Sequence, residues 1–445
     1  MKAVIIGGGV AGLAAGYELV KSNHKVVIIE AGPILGGQVR TFEIGGQQIE
    51  SFYHHLFRSD VTIIELINEL GLGDDLIWHD SSTAINTDNK IYPFASPFDL
   101  LKFDQVSFIT RLRLGFAALW LRKNSNWQKY EGIKAQDWII SKVGHDGYEK
   151  VWEPLLSAKF GEHASDVSMA WFWGKVYLRF ASRDSGIFGG EQLGYLRGSF
   201  GRLVNTLANE IISLGGEIKT SMPADDILID NGKVSGVNVL EENKLVKISA
   251  DAVIATIPSG IFAKLAPEIA SLDQEYFEKL TRVKYQWASV LVLVLDRPLS
   301  EYYWMTMTDK DCPFVVTVEH TNFVSNQEYD GKYIVYFSNY TNPQDPILDF
   351  SPEKLLETYI PYIKRINAKF TNSWILEKWL FVDRAGQPIV HSLYHKDIVP
   401  HQSPIQGLYL ANTTQIYPED RGQNYSIRMG QRVAELINQQ VNILE

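Results

Sequence analysis

The 445-residue sequence predicts an α/β fold: a doubly wound parallel sheet assembled from separated stretches of chain, joined to an α+β part with an antiparallel sheet and a helical insertion. Three observations carry this expectation. The first thirty residues read as strand, glycine-rich turn, helix and second strand; strand and helix signals alternate again from Phe200 and near the C-terminus; and the segment between Trp287 and Tyr340 breaks into short β-like runs. A length of 445 residues suits two or three domains.

The elements follow in order. Ala3 to Ile6 is a short apolar run, after which Val10, Leu13, Ala14 and Tyr17 recur at helical spacing. Lys25 to Ile29 is β-branched and ends at Glu30, completing the length and order of a βαβ unit before the Pro/Gly-rich stretch from Ala31 to Gly37. From about 99 to 161 apolar residues and tryptophans, among them Leu112, Phe116, Leu119 and Trp120, recur at helical spacing, predicting a helical insertion. Leu203, Leu207 and Ile211 predict a helix ending at Gly215 and Gly216, with strands at Glu217 to Thr220 and Ala252 to Ile257. Ser289 to Leu295, Phe314 to Val318 and Tyr333 to Phe337 read as an antiparallel sheet. Leu408 to Ala411 is a last strand, and Ile427, Val433, Leu436 and Ile437 stripe a last helix. The expected parts are 1–80, 195–262 and 400–445 for the nucleotide-binding domain, and 81–194 and 263–399 for the second.

Composition narrows the classes. Hydrophobic residues at 45% and charged residues at 21% exclude wholesale disorder. Acidic residues outnumber basic ones, 52 to 42, so nucleic acid is not an expected partner. The lone Cys312 supports neither an intramolecular disulfide nor a metal site, which fits a reducing, cytoplasmic setting. Met1 to Ala15 has a basic residue followed by apolar ones, as a leader does, but Gly7, Gly8 and Gly9 interrupt the run and the segment is read as the start of the fold. The longest apolar runs, Leu114 to Leu121 and Ala288 to Leu295, are far shorter than the ~18 residues of a membrane span.

Gly7, Gly9 and Gly12 form G-x-G-x-x-G directly after a strand and at the opening of a helix, where backbone N–H groups and the helix dipole suit a pyrophosphate, with Ala11 beside them. Glu30 closes the second strand where a carboxylate can accept hydrogen bonds from ribose hydroxyls. A Rossmann-like dinucleotide site is the reading; the bland alternative is a glycine-rich turn beside a surface glutamate.

The next residues, Gly36-Gly37-Gln38-Val39-Arg40-Thr41, resemble the second glycine motif of the FAD-dependent amine oxidase superfamily, which includes monoamine oxidases, protoporphyrinogen oxidases and phytoene desaturases. Gln38 stands where that family usually has arginine, leaving Arg40 as a substitute charge or the contact weaker. Tyr195 to Gly201, Asp251 to Pro258 and Gly407 to Asn412 extend the resemblance over nearly the whole chain. By that resemblance Ala411, Asn412, Arg421, Gly422, Asn424, Tyr425 and Ser426 are cofactor-side candidates and Ala224 lies near an adenine. Cys312 lies far from any flavin-anchoring motif, implying noncovalent FAD. The segment Trp379 to Pro388, with Arg384-Ala-Gly-Gln-Pro388, is closer to the protoporphyrinogen oxidase and desaturase branch.

The resemblance implies hydride transfer from a C–C or C–N bond of a hydrophobic or cyclic small molecule to flavin N5, with oxygen or a quinone taking the electrons. His54 and His55 are the acid–base candidates, against a structural His pair. Tyr195, Phe200 and Trp379 are candidates to line a substrate cavity, against plain core. Arg179, with Arg183 and Arg197 nearby, is a candidate for a substrate anion, against surface charge. No metal is expected. Residues 111–123 place apolar letters between basic flanks, matching either a helix lying on the inner face of a membrane or an internal helix. The competing functions are amine oxidation, a non-redox flavin isomerisation resembling UDP-galactopyranose mutase, and flavin-free lipid carriage resembling the GDP-dissociation inhibitors.

Overall fold

In the computed structural model, which describes residues 1–181 and 191–444, five parallel strands lie in the order Glu217–Lys219, Lys25–Ile29, Lys2–Ile6, Ala252–Ala255 and Leu408–Leu410. The inner strands are apolar on both faces because both are covered, as parallel sheets require, while the edge strand Glu217–Lys219 is charged and partly exposed. Ala3 and Ile5 face the helices Val10–Lys21 and Gln423–Leu444, whereas Val4 and Ile6 pack with Ile227, Val237 and Val239 from a three-stranded antiparallel sheet (Ala224–Asp230, Lys233–Glu241, Lys244–Ser249). The two helices cross at Gly430, where a Cβ would come within 2.2 Å of the Ala11 carbonyl oxygen. That close crossing carries the C-terminal helix back to the first turn of the chain.

The second sheet has seven strands among the described residues, ordered Ile375–Pro388, Tyr285–Leu295, Tyr333–Thr341, Val316–Glu319, Trp304–Met307, Thr83–Thr87 and Lys90–Pro93. It was expected to be antiparallel, and five of its junctions are; Trp304–Met307 and Thr83–Thr87 run parallel. No hairpin joins these two strands, so turn geometry does not impose antiparallel pairing on them. Period-two alternation divides the central strand. Leu291, Leu293 and Leu295 pack against Tyr359 and Ile363 of helix Pro352–Ile366, while Val290, Val292 and Val294 turn toward the parallel-sheet domain with Tyr336.

The helical insertion runs beyond the expected 161. Helices Phe108–Lys123, Ala135–Val143 and Glu153–Phe160 share a core with Met169–Ala181 through Leu114, Ile139, Phe160 and Trp171. Strand Gln192–Leu196 then returns the chain, pairing with Leu56–Phe57 and Leu76–Asp80. No described helix is long and apolar enough to cross a membrane.

Candidate active site

The turn after strand Lys2–Ile6 is built on contacts that only glycine permits. A Cβ on Gly12 would lie 2.1 Å from the Gly7 carbonyl oxygen and 3.1 Å from Thr256 Oγ1, so strand and helix meet with no room for a side chain. Gly9 differs: its backbone is extended, and a Cβ there would meet nothing nearer than 3.9 Å. It is the N-cap of helix Val10–Lys21 and brings no side-chain cap, which leaves the first-turn N–H groups, Ala11 among them, available to an anion. The Glu30 carboxylate accepts from the Gly8 N–H (2.8 Å) through one oxygen and from the Gly32 N–H (2.8 Å) through the other. Each oxygen keeps a lone pair for a further donor. The second glycine pair abuts this turn, with the Gly36 N–H donating to the Gly8 carbonyl at 2.8 Å and Gly37 against Gly9. Ala224 opens its strand two residues after Met222, whose N–H donates to the Glu30 carbonyl (2.9 Å), so it stands at the same end of the sheet.

The start of helix Gln423–Leu444 comes to this region from the other end of the sequence. Asn412 is spent on its own turn: its Nδ2 donates to the Ile257 carbonyl (2.8 Å) and its Oδ1 accepts from the Thr414 N–H and hydroxyl. Ala411 is fully buried and extends the last parallel strand, its N–H donating to the Ala255 carbonyl. Gly422 accepts from the Ser426 N–H, Asn424 accepts from the Ile63 N–H (3.1 Å), and the Tyr425 ring lies under Arg428. Between them is a residue the motif comparison passed over. Gln423 is buried, and neither its Nε2 nor its Oε1 has a hydrogen-bond partner. Leaving a carboxamide so costs about 1–3 kcal/mol per group unless something fills the site. A glycine turn with uncapped first-turn N–H groups and an unpartnered carboxamide at a second helix N-terminus suit a flavin nucleotide, which is polar at both ends.

Gln38, in the family's arginine position, receives an arginine from elsewhere. Arg421 Nη1 donates to Gln38 Oε1 (3.0 Å), its Nε to Gln387 Oε1 (3.1 Å) and its Nη2 to the Tyr340 hydroxyl (3.3 Å), while Gln38 Nε2 donates to the Ala385 carbonyl (3.1 Å). Burial works against the Arg421 charge, but Tyr340, Asp420 and Asp383 outweigh it and hold the guanidinium charged. Arg40 instead lies over the Phe52 ring and donates to the Gly37 carbonyl. Asp420 pairs with Lys159 (2.5 Å) and Lys175 (2.8 Å) and accepts from Trp171 Nε1 (3.3 Å). Burial would raise its pKa, and the two ammonium groups reverse that, so Asp420 is a carboxylate. Lys159, Lys175 and Tyr340 carried no motif signal, whereas Gln387 belongs to the Arg384-to-Pro388 segment already singled out, without being picked there as a site residue.

The two histidines sit deep in the fold while keeping some accessible surface. His54 Nδ1 is 2.6 Å from the Phe52 carbonyl, which can only accept, so Nδ1 carries the proton and Nε2 the lone pair. Burial lowers its pKa to about 4, assisted by Arg421. His55 Nδ1 lies 2.9 Å from the Tyr303 hydroxyl, and burial lowers its pKa to about 3. Both are therefore neutral at pH 7.

Four expectations need correction or relocation. Tyr195 and Phe200 are fully buried and cannot face a substrate: Glu50 accepts from the Tyr195 hydroxyl (2.8 Å) and from the Phe200 N–H (2.6 Å), making them a core clamp. Trp379 is on the exposed edge strand, its ring contacts being with Phe42 and Phe381. Arg179 is engaged by Glu191 at 2.8 and 3.3 Å, which takes the fork a substrate anion would need. Arg197 pairs with Asp75, and Arg183 lies outside the described residues. Arg384 turns away from Arg421 to stack on Trp287.

A glycine-lined nucleotide turn, a doubly wound domain built from three chain segments and a second sheet capping it define a flavin-binding oxidoreductase architecture. Residues 10–438 match the flavin containing amine oxidoreductase family, and the chain belongs to that family. Among curated relatives it is 25% identical over 296 residues to protoporphyrinogen oxidase of Oryza sativa subsp. japonica, covering 60% of this chain and 54% of the relative. It is 23% identical over 313 residues to zeta-carotene desaturase of Synechocystis sp., covering 63% and 62%. The alignments thus span only a little over half the length of these relatives. Solved structures share the whole fold: an oxidoreductase from Methanosarcina mazei (TM-score 0.76, 20% identity, 98% of this chain and 100% of the other) and cyclohexylamine oxidase from Brevibacterium oxydans (TM-score 0.72, 14% identity, 99% of each).

Proposed function

We propose that the protein is an FAD-dependent oxidoreductase that dehydrogenates a C–C, or alternatively a C–N, bond of a hydrophobic or cyclic small molecule. The observation that carries this reading is the meeting of the Gly7–Gly12 turn, the Gly36–Gly37 pair and the N-terminus of helix Gln423–Leu444 at one end of the parallel sheet. The preference for C–C chemistry rests on the desaturase and protoporphyrinogen oxidase relatives. When bound, FAD supplies the two-electron acceptor, and oxygen or a quinone is the proposed final acceptor.

The residues then have separable tasks. The first-turn N–H groups of Val10–Lys21 would hold the pyrophosphate, and the free lone pairs of Glu30 would accept from the ribose. Gln423 offers both a donor and an acceptor. Arg421 places a fixed cation against Gln38, away from bulk water, where it counts for more than at a surface. His54 presents an unprotonated Nε2, and a group titrating at about 4 is a weak base at neutral pH. Its part is to orient or to accept a hydrogen bond, with C–H positioning carrying the rate. Cys312 is partly buried beside the Asp309, Asp311 and Arg365 cluster with its thiol pushed up to about 12, which supports noncovalent cofactor binding.

The test is the visible spectrum of the purified protein, the mass of the chromophore released by acid, and anaerobic bleaching with porphyrinogens, carotenes and cyclic amines. FAD released intact and bleaching by a polyene or porphyrinogen meets the reading. A protein that neither holds nor takes up FAD overturns it, and bleaching by amines alone moves it to the C–N alternative.

A further inference from the structure

Helix Phe108–Lys123 is amphipathic in the inverted sense. The side chains it buries form a narrow stripe: Thr110 against Asp146 and Gly147, and Leu114 and Leu121 in the core shared with helix Met169–Ala181. Its opposite face is exposed and apolar: Phe108, Ile109 (64% exposed), Leu112, Phe116 (70%) and Trp120 (58%). The preceding helix Pro97–Lys102 adds exposed Phe98 and Leu101. The two helices are tied together by Arg111, whose guanidinium donates to the Leu101 and Val106 carbonyls. Of the five exposed Phe and Trp side chains among the described residues, four lie between 98 and 120. Exposed aromatic groups in water are costly, and clustered ones mark a contact surface.

Charge decides what the surface contacts. Between Phe108 and Lys123 there are four basic residues, Arg111, Arg113, Arg122 and Lys123, and no acidic one, in a chain whose overall charge is −10. Asp99, which caps its own helix, and Asp104, which accepts from Tyr92, keep their charges, so residues 97–123 together carry five basic and two acidic side chains, a local excess of positive charge. A protruding apolar face with aromatic residues and a basic border has the make-up of an interfacial helix, with aromatics at headgroup depth and cations at lipid phosphates. We infer that residues 97–123 seat the protein on the surface of an anionic lipid bilayer, with Phe108, Ile109, Leu112, Phe116 and Trp120 inserted. The patch backs onto the candidate site. Trp173 Nε1 donates to the Leu121 and Asn124 carbonyls at the helix end, and the same helix Met169–Ala181 carries Trp171 and Lys175 to Asp420.

The test uses the full chain with phosphatidylcholine vesicles and with vesicles containing about 30% phosphatidylglycerol, read by flotation at about 50 mM and about 500 mM salt. Flotation with the anionic vesicles, weakened at high salt, is expected. Phe116→Ser with Trp120→Ser lowers the partition constant at least about tenfold, and so does Phe108→Ser with Ile109→Ser. Arg113→Ser with Lys123→Ser removes the preference for phosphatidylglycerol. All three pairs are to keep the wild-type thermal midpoint and cofactor content. Failure of the wild type to float with either vesicle, or flotation of both apolar variants like wild type, overturns the inference. So does a wild type that ignores vesicles but forms a dimer that the apolar variants dissociate. None of these readouts depends on which substrate is oxidised.

Discussion

Gly12 and Gly9 occupy one motif but do different work, and alanine at each separates the two. At Gly12 the added methyl would lie 2.1 Å from the Gly7 carbonyl oxygen, a backbone atom, so strand Lys2–Ile6 and helix Val10–Lys21 must move apart. Overpacking of this kind costs about 1–3 kcal/mol. At Gly9 the backbone is at φ −75°, ψ 174°, which alanine adopts, and the nearest atom is 3.9 Å away. Alanine gains about 0.4–1 kcal/mol by restricting the unfolded chain, and loses a similar amount, about 0.5–1 kcal/mol, as a poorer N-cap. Gly9→Ala is thus expected to unfold in urea at the wild-type midpoint as apoprotein, yet to bind FAD at least about tenfold more weakly (about 1.4 kcal/mol), because its methyl fills the space over the first-turn N–H groups. Gly12→Ala is expected to lower the apoprotein midpoint as well. The assay is urea unfolding of cofactor-stripped protein, with fluorescence titration by FAD. Wild-type affinity in Gly9→Ala would refute placement of a pyrophosphate over that face, and a wild-type midpoint in Gly12→Ala would refute the strand–helix contact.

Burial lifts Glu50 from 4.5 to about 7, so its stabilising contribution is complete below about pH 4.5 and is lost as pH rises to about 7; Glu50→Gln is expected to flatten the apoprotein stability curve by up to about 3 kcal/mol across that window, measured as urea midpoints at several pH values. His320 shifts the opposite way, from 6.5 to about 3, through burial, so its contribution is present above about pH 6.5 and lost as pH falls toward 3; His320→Gln is expected to reduce the acid-side slope, and an unchanged slope would count against its neutral buried state. Arg421→Ala strands the Gln38, Gln387 and Tyr340 partners and is expected to cost about 2–4 kcal/mol and most FAD retention, with Arg421→Lys intermediate, read by thermal unfolding and bound chromophore per chain. His54→Gln is expected to slow anaerobic bleaching less than about tenfold above pH 6, whereas a loss of 10²–10⁴ would show His54 acting as the base.

The parallel domain was legible because its evidence is local. A short β-branched apolar run between turns reads as a buried strand, and Gly7 and Gly12 of the first turn mark the close approach of strand and helix. The helix stripes at Leu203–Ile211 and Ile427–Ile437 follow likewise from the period of the helix. The extra turns of the insertion and the parallel strand junction were not legible, since each depends on where a distant segment arrives.

The same division runs through the site. The sequence alone determined the glycine-rich turn, Glu30 at the second strand's end and the C-terminal helix, because each is set by neighbours in the chain. Only the tertiary structure decided that Arg421 reaches Gln38 across 383 positions, that Lys159 reaches Asp420 across 261, and that Tyr195 and Phe200 close on Glu50 instead of facing a cavity. It also decided which face of Phe108–Lys123 is buried. Periodicity places side chains on a common stripe but does not say which stripe finds a neighbour; that depends on the packing of elements distant in sequence, where burial and charge pairing are settled.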